Sequence, residues 1–347
     1  MKKNWLWMLI SAAIAVLTIW ALTSGNDNFS FLDFIRTIRD AFPVWIFLGF
    51  SCMLGFIFFE GRAIVEILKG FGFEPNVLQG FFYSSADTFF SAITPSATGG
   101  QPACGLFMMR DGHSGAVITF TLILNLMMYT GSIVTVGLLS FIIKPSVLGY
   151  FTVFSRVLII VGFLVMIGLL FIYLLLLRKG SVIRRVGYAA IGLLHRIKLV
   201  KDPDKYRDKL AHTVSEYQEC SWKVHGQWKM LAKAFGFNLL QRLSHVTVTL
   251  MAFLATGGAL KDSLKIWVTQ VYVTLGSTYI PIPGAMGISD LLLLDGFGDM
   301  MSESAAANLE LLSRSMSFYV CVFVCGITVL IGHIVQTVRR KKRDRNL

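Results

Sequence analysis

Uncharged apolar runs long enough to cross a bilayer, about 18 residues or more, occur six times along the chain, at 5–22, 42–59, 114–143, 157–177, 243–260 and 315–332. They lack the polar face of a soluble amphipathic helix, so each predicts a helix surrounded by lipid or by other apolar helices. Two further apolar stretches, 78–109 and 266–294, are interrupted by helix breakers. In the first, Pro95, Gly99, Gly100 and Pro102 fall within eight positions, beside Thr94, Ser96, Thr98 and Gln101. The second reads YIPIPGAMGISD over 279–290, with Pro281, Pro283, Gly284 and Gly287. No continuous helix passes through either set. Broken backbone at membrane depth persists only where other protein covers it or it lines a wet cavity, because lipid cannot satisfy a free amide. Two such breaks, one in each half, form the pattern of a transporter-like binding site at an internal repeat.

The basic residues orient this pattern. The stretch 178–233 holds 13 Lys and Arg and the tail 339–347 holds 6, which places both on the cytoplasmic side. Six crossings from an inside N-terminus return the chain to the inside, so both termini are expected to be cytoplasmic. Parity then makes 78–109 a re-entrant hairpin from the cytoplasmic side and 266–294 one from the outer side, each followed by a long crossing helix. The expected fold is an all-α polytopic membrane protein, with about six crossing helices and two oppositely oriented re-entrant hairpins in an inverted repeat. It forms a single domain over 1–347, its hairpins meeting near the midplane around a polar cavity. Outside the crossings, FSFLDFIRTIRD (29–40) predicts a short helix on the outer surface, and SVIRRVGYAAIGLLHRIKLV (181–200) a basic amphipathic segment on the inner leaflet. A charged helix follows, capped near Asp202 and Pro203.

Composition agrees with a membrane chain: apolar residues are 55%, charged residues 15% and mean hydropathy +0.65. A cleaved signal peptide is a second reading of 5–22, but no small-residue cleavage site closes it and more spans follow. The net charge of +12 follows from the positive-inside bias, so no nucleic-acid partner is expected. Cys52, Cys104, Cys220, Cys321 and Cys325 are scattered, four of them in apolar segments; Cys321 and Cys325 share a helix face without His or carboxylate neighbours, and all five read as buried small hydrophobes. No metal and no cofactor is expected. There is no GxSxG, P-loop or HExxH pattern, so the sequence gives no positive sign of an enzyme.

Charges inside apolar segments are the candidate chemistry. Asp87 either receives a cationic headgroup or pairs with an arginine of the bundle. Glu310 and Arg314 are one helical turn apart and can form a mutual ion pair, while the planar guanidinium of Arg314 also suits a lipid phosphate. Asp290 sits one turn into the helix after the second break, as a cap or as an ammonium ligand. Gly284 and Gly287 permit close backbone approach to a phosphodiester. Arg110 lies at the inner surface, where it meets a headgroup or simply satisfies the charge bias. Arg242 is expected to snorkel to the inner interface from the end of its crossing, with His245 nearby. Arg156 stands at its helix end, and Glu60 and Arg62 close the second crossing.

The residues ITPSATGGQPA and MMRDG of the first hairpin, PIPGAMGISD of the second and SRSMSFY around Arg314 give the chain a resemblance to a known family. It resembles the lysylphosphatidylglycerol synthase transmembrane-region family, the flippase-like module of bacterial multiple peptide resistance factors, over nearly its whole length. Where the family has a Glu three positions after its second-hairpin glycine, this chain has Asp290. The resemblance implies a multi-pass protein of the bacterial plasma membrane that carries aminoacylated phosphatidylglycerol between leaflets, lowering the negative surface potential met by cationic antimicrobial peptides. Its partners would be phospholipids, especially anionic or lysylated phosphatidylglycerol, with a homo-oligomer and a separate lipid-aminoacylating enzyme as further options. No soluble aminoacyltransferase domain is read in the chain, so the lysyltransferase activity of larger members is the alternative rather than the expectation. The implied headgroup-binding set is Asp87, Thr94, Ser96, Thr98, Gln101, Arg110, Asp290, Glu310 and Arg314.

Overall fold

The structure is a computed structural model that describes residues 35–36, 39–94, 97–178, 203–280, 287–298 and 300–345, with scattered positions between 184 and 196. The run at 5–22, most of the expected surface helix at 29–40, most of the basic segment at 178–202, and Pro95, Ser96, Pro281, Pro283 and Gly284 lie outside the described residues.

Every described element is helical. Helix α1 spans Pro43–Gly70, and α2 (Val77–Ile93) is started by a capping box in which Asn76 and Gln79 satisfy each other's free amides at 2.8 and 2.9 Å. After the first break come α3 (Gly100–Arg110) and α4 (Gly115–Ile143), joined by a tight turn in which Gly112 takes φ +99°. Helix α5 covers Val153–Arg178, α6 covers Pro203–Val224 and α7 covers Trp228–Ala255. The second broken unit is α8 (Ser263–Ser277) and α9 (Ile288–Gly298). Helix α10 (Glu303–Arg314) continues through a π turn at Ser315–Val320 into α11 (Cys321–Arg345).

The chain is an all-α polytopic membrane protein. Among the described residues four helical stretches are long and apolar enough to cross a bilayer: Pro43–Gly70, Gly115–Ile143, Val153–Arg178 and Ser304–Val338. They contain the expected crossings at 42–59, 114–143, 157–177 and 315–332, apart from Phe42 and Ser114 at the very ends of the first two. The run at 243–260 falls on α7, which ends at Ala255 because Gly257 takes φ +87°. Helix α7 begins fifteen residues before that run, at Trp228, since Gly226 (φ +87°) separates it from α6. At 28 residues it is about 42 Å long, at 1.5 Å per residue. Similarly α1 does not stop at Glu60 and Arg62 but continues to Gly70, so Glu60 is buried inside the bundle and accepts a 2.7 Å hydrogen bond from Ser84.

Helices α1 and α7 make the most extensive packing contact of the molecule and run antiparallel. The Phe42 amide donates to Ala255 O at 2.9 Å at one end, and Gln227 Nε2 to Gly70 O at 3.0 Å at the other. In each broken unit the two short helices fold back on one another, α2 on α3 and α8 on α9. The order long helix, short helix, break, eleven-residue helix, long helix thus occurs twice, led by α1 and by α7. On α5, Val153, Leu164 and Phe171 stay more than half exposed, the surface a lipid-facing helix presents.

The α1–α2 crossing rests on two facing glycines. A Cβ at Gly61 would lie 2.5 Å from the Gly80 carbonyl, and one at Gly80 would lie 2.5 Å from Gly61 O. Backbone cannot yield as a side chain would, so Gly61→Ala should cost about 2 kcal/mol through overpacking and lower the thermal unfolding midpoint. Gly236→Ala in α7, where a Cβ meets nothing within 4 Å, should leave the midpoint equal or higher. Equal behaviour of the two variants in a detergent thermal-unfolding assay would refute close backbone contact at this crossing.

Candidate functional site

The backbone breaks are stitched by side chains. Thr94 Oγ1 accepts the Gly99 amide at 2.9 Å and donates to Phe90 O at 2.6 Å, holding the first break in a closed turn in which Ala97 takes φ +52°. Gly100 opens α3 directly against α2, where a Cβ would fall 2.0 Å from Asp87 Oδ1. That approach lets Gln101 Nε2 donate to Asp87 Oδ2 at 2.5 Å, with Ser91 Oγ 3.3 Å from Oδ1. Asp87 is buried, and among the described residues no basic side chain pairs with it. Of the two readings of Asp87, pairing with a bundle arginine is not met within that set; an amide and a hydroxyl bond the carboxylate, and the Glu60 carboxyl lies against it.

The other first-hairpin candidates lie elsewhere. Thr98 is exposed on the break. Arg110 stands at the far end of α3, over the Phe107 ring at 5.3 Å and 2.8 Å from His333 Nδ1. Asp111 accepts the Tyr83 hydroxyl at 2.5 Å, which ties that end of α3 back to α2.

The second break brings its candidates together. Gly287 takes φ +79°, and its amide donates to Asp290 Oδ2 at 2.9 Å, so Asp290 caps the start of α9 as the sequence suggests. The same carboxylate forms an ion pair with Arg314 through Oδ1. Arg314 also contacts Glu310 Oε1 at 3.4 Å and donates to Ser289 Oγ at 3.0 Å. One guanidinium thus bridges two carboxylates from two elements. The π turn immediately after Arg314 is a wide turn of the kind found at functional sites, and Ser315 and Ser317 bond back to Leu311 O and Ser313 O at 2.7 and 2.8 Å.

This cluster forms one wall of a cavity of about 270 Å³. Asp290, Glu310, Arg314, Ser289 and Ser317 lie on the α9 and α10 side, and Gln270, Thr274, Ser277 and Thr278 come from α8. Arg242 and His245 from α7, Tyr129 from α4 and Phe56 from α1 close it. None of the first-hairpin candidates lines it; the expected single cavity between two meeting hairpins is, for this cavity, built on the second hairpin alone.

Sequence reasoning missed Arg242. Its position beside the uncharged run at 243–260 made it look like a helix end, where a side chain reaches the interface. Because α7 starts at Trp228, Arg242 is instead near mid-helix and only 3% exposed. Its guanidinium lies over the Tyr129 ring at 4.5 Å, and Nε and Nη2 have no hydrogen-bond partner among the described residues. The available signal was the amphipathic continuation 228–242, with Lys229 and Lys233 a turn or more outside Arg242. Arg156 does behave as a helix-end residue, donating to Phe151 O and Gly149 O at 2.7 and 2.8 Å. Cys104, Cys220, Cys321 and Cys325 are buried thiols, and no group of His, Cys, Asp and Glu among the described residues has the arrangement of a metal site.

Long apolar helices with exposed apolar faces, packed around a half-open, charge-bearing cavity, are those of a polytopic membrane protein. The family model of the lysylphosphatidylglycerol synthase TM region matches residues 8–325, and the chain belongs to that family. No curated protein matches the chain.

Removal of Arg314 would leave Asp290 and Glu310 facing each other without a cation. Their side chains are 22% and 12% exposed, so Arg314→Gln should cost about 2 kcal/mol, less than the loss of a fully buried pair. Adding Asp290→Asn should restore part of that, a coupling read by comparing the thermal midpoints of the two single variants and the double variant.

Proposed function

We propose that this protein is a phospholipid flippase that moves aminoacylated phosphatidylglycerol, lysyl-phosphatidylglycerol or a related lipid, between the leaflets of the bacterial plasma membrane. The observation that carries this reading is the charged cavity beside a helix break, in a chain whose family ties it to lysylphosphatidylglycerol. A headgroup would enter the polar cavity while its acyl tails remain in lipid, since only the headgroup pays heavily for leaving water. Display of such lipid on the outer face lowers the attraction for cationic peptides, and so contributes to resistance against them.

Antiparallel α1 and α7, each leading into one broken unit, support two re-entrant hairpins of opposite orientation in an inverted repeat. Both termini are then cytoplasmic. In this scheme Asp290, Glu310 and Arg314 contact the headgroup in the cavity, while Asp87, held by Gln101 beside the Thr94 turn, serves the corresponding position of the first half. A separate lipid-aminoacylating enzyme would supply the substrate, and a homo-oligomer is compatible with the exposed apolar surface.

Leaflet movement of labelled lysyl-phosphatidylglycerol and plain phosphatidylglycerol in liposomes containing the purified protein is the decisive measurement, with lipid products followed by mass spectrometry. Faster movement of chemically intact lipid is expected. A new lipid species without movement would mean a membrane-embedded transferase, or part of one. Asp87→Asn should lower the rate several-fold while leaving the thermal midpoint within a few degrees; loss of fold with unchanged transport per folded molecule would make Asp87 structural.

A further inference from the structure

The charges in the cavity are unevenly matched. Arg314 is paired with two carboxylates, Asp290 and Glu310. Arg242, on the α7 wall, is 3% exposed, and no acidic side chain among the described residues forms an ion pair with it. Its Nε and Nη2 lack hydrogen-bond partners among the described residues, as do His245 Nδ1 and Gln270 Oε1 on the same lining. A guanidinium keeps its proton at any physiological pH, so it cannot escape the cost of burial by becoming neutral. The Tyr129 ring at 4.5 Å offsets part of that cost. A ring is only a weak partner for N–H donors, and a buried cation with unpaired donors on the lining of a cavity is a site for an anion, which a turn of its side chain would admit.

We propose that Arg242 is the anion seat of this cavity, taking the phosphodiester of a lipid headgroup two oxygens at a time, while in the opposite wall the Arg314 guanidinium is already occupied by two carboxylates. This rests on the phospholipid reading and assigns the phosphate contact to Arg242 rather than to Arg314. The planar fork matches phosphate oxygens, and such charge-assisted contacts are the strongest hydrogen bonds a side chain makes. The same chemistry would accept free inorganic phosphate, so the two sources must be separated by experiment.

The test uses the purified full chain in detergent with three probes: dioctanoyl phosphatidylglycerol, dioctanoylglycerol with the same tails and no phosphate, and inorganic phosphate. The wild type should bind the phosphatidylglycerol well above the phosphate-free lipid. Arg242→Gln should weaken that binding about tenfold or more, while its ligand-free thermal midpoint stays equal or rises, because an unmatched buried charge has been removed. Binding by Arg242→Gln within twofold of wild type overturns the proposal. So does a lowered midpoint with parallel loss of every probe, which would make Arg242 a packing residue. Inorganic phosphate bound as tightly as the lipid overturns the lipid source. Should Arg242→Gln not fold, Arg242→Lys decides: it keeps the charge but loses the fork, and is expected to weaken phosphatidylglycerol binding several-fold, with unchanged affinity counting against the proposal. The flippase reading fails separately: if the wild type moves no lipid yet Arg242→Gln loses binding, the anion seat stands and the transport reading falls.

Discussion

Backbone that leaves the helix inside a membrane bundle must have its free amides and carbonyls satisfied by protein, and much of this structure follows from that requirement. At the first break Thr94 does so with one hydroxyl, accepting from Gly99 and donating to Phe90. At the second, Asp290 accepts the Gly287 amide. Polar side chains are thereby fixed beside glycines that cannot fill the space with a Cβ, and the neighbouring helices must accommodate them. Gly100 shows the coupling most directly: its missing side chain is what allows α3 to reach Asp87.

The two halves meet the requirement differently. In the first, the buried carboxylate of Asp87 is held by Gln101 and Ser91, with the Glu60 carboxyl against it. In the second, Asp290 is part of a charged cluster with Arg314 and Glu310, and a cavity adjoins it. A similar arrangement of elements therefore holds two buried carboxyls, Asp87 and Glu60, in one half, and a salt-bridged cluster beside a cavity in the other, active half. Arg242 belongs to the active half, although it lies on the long helix rather than on the break. Arg242 lines the cavity from the long helix that packs antiparallel on α1 along its length.

Membership of the lysylphosphatidylglycerol synthase TM region family fits this division of labour. An aminoacylated phospholipid carries a phosphodiester and at least one ammonium group, so its headgroup needs both signs of charge within one small polar space. The cavity lining carries both, with Arg314 and two carboxylates on one wall and a guanidinium without an acidic partner among the described residues on the other. Apolar, exposed helices such as α5 present the kind of surface that a bilayer covers.

The sequence alone determined the class: uncharged runs of crossing length, two sets of breakers and the family-bearing motifs pointed to an all-α membrane protein with two broken segments. It also suggested the Glu310–Arg314 pair and the capping role of Asp290, because those depend on spacing along one helix or one turn. It misplaced the ends of α1 and α7, since a charged residue stops a hydropathy run without stopping a helix; Glu60 and Arg242 both look like boundaries and both lie inside. Only the tertiary structure decided that Arg314 reaches Asp290 across two elements, that Asp87 meets an amide instead of a cation, and that Arg242 faces a cavity. Each of these depends on which helix faces are brought together over long sequence separations, and local residue patterns carry no record of that.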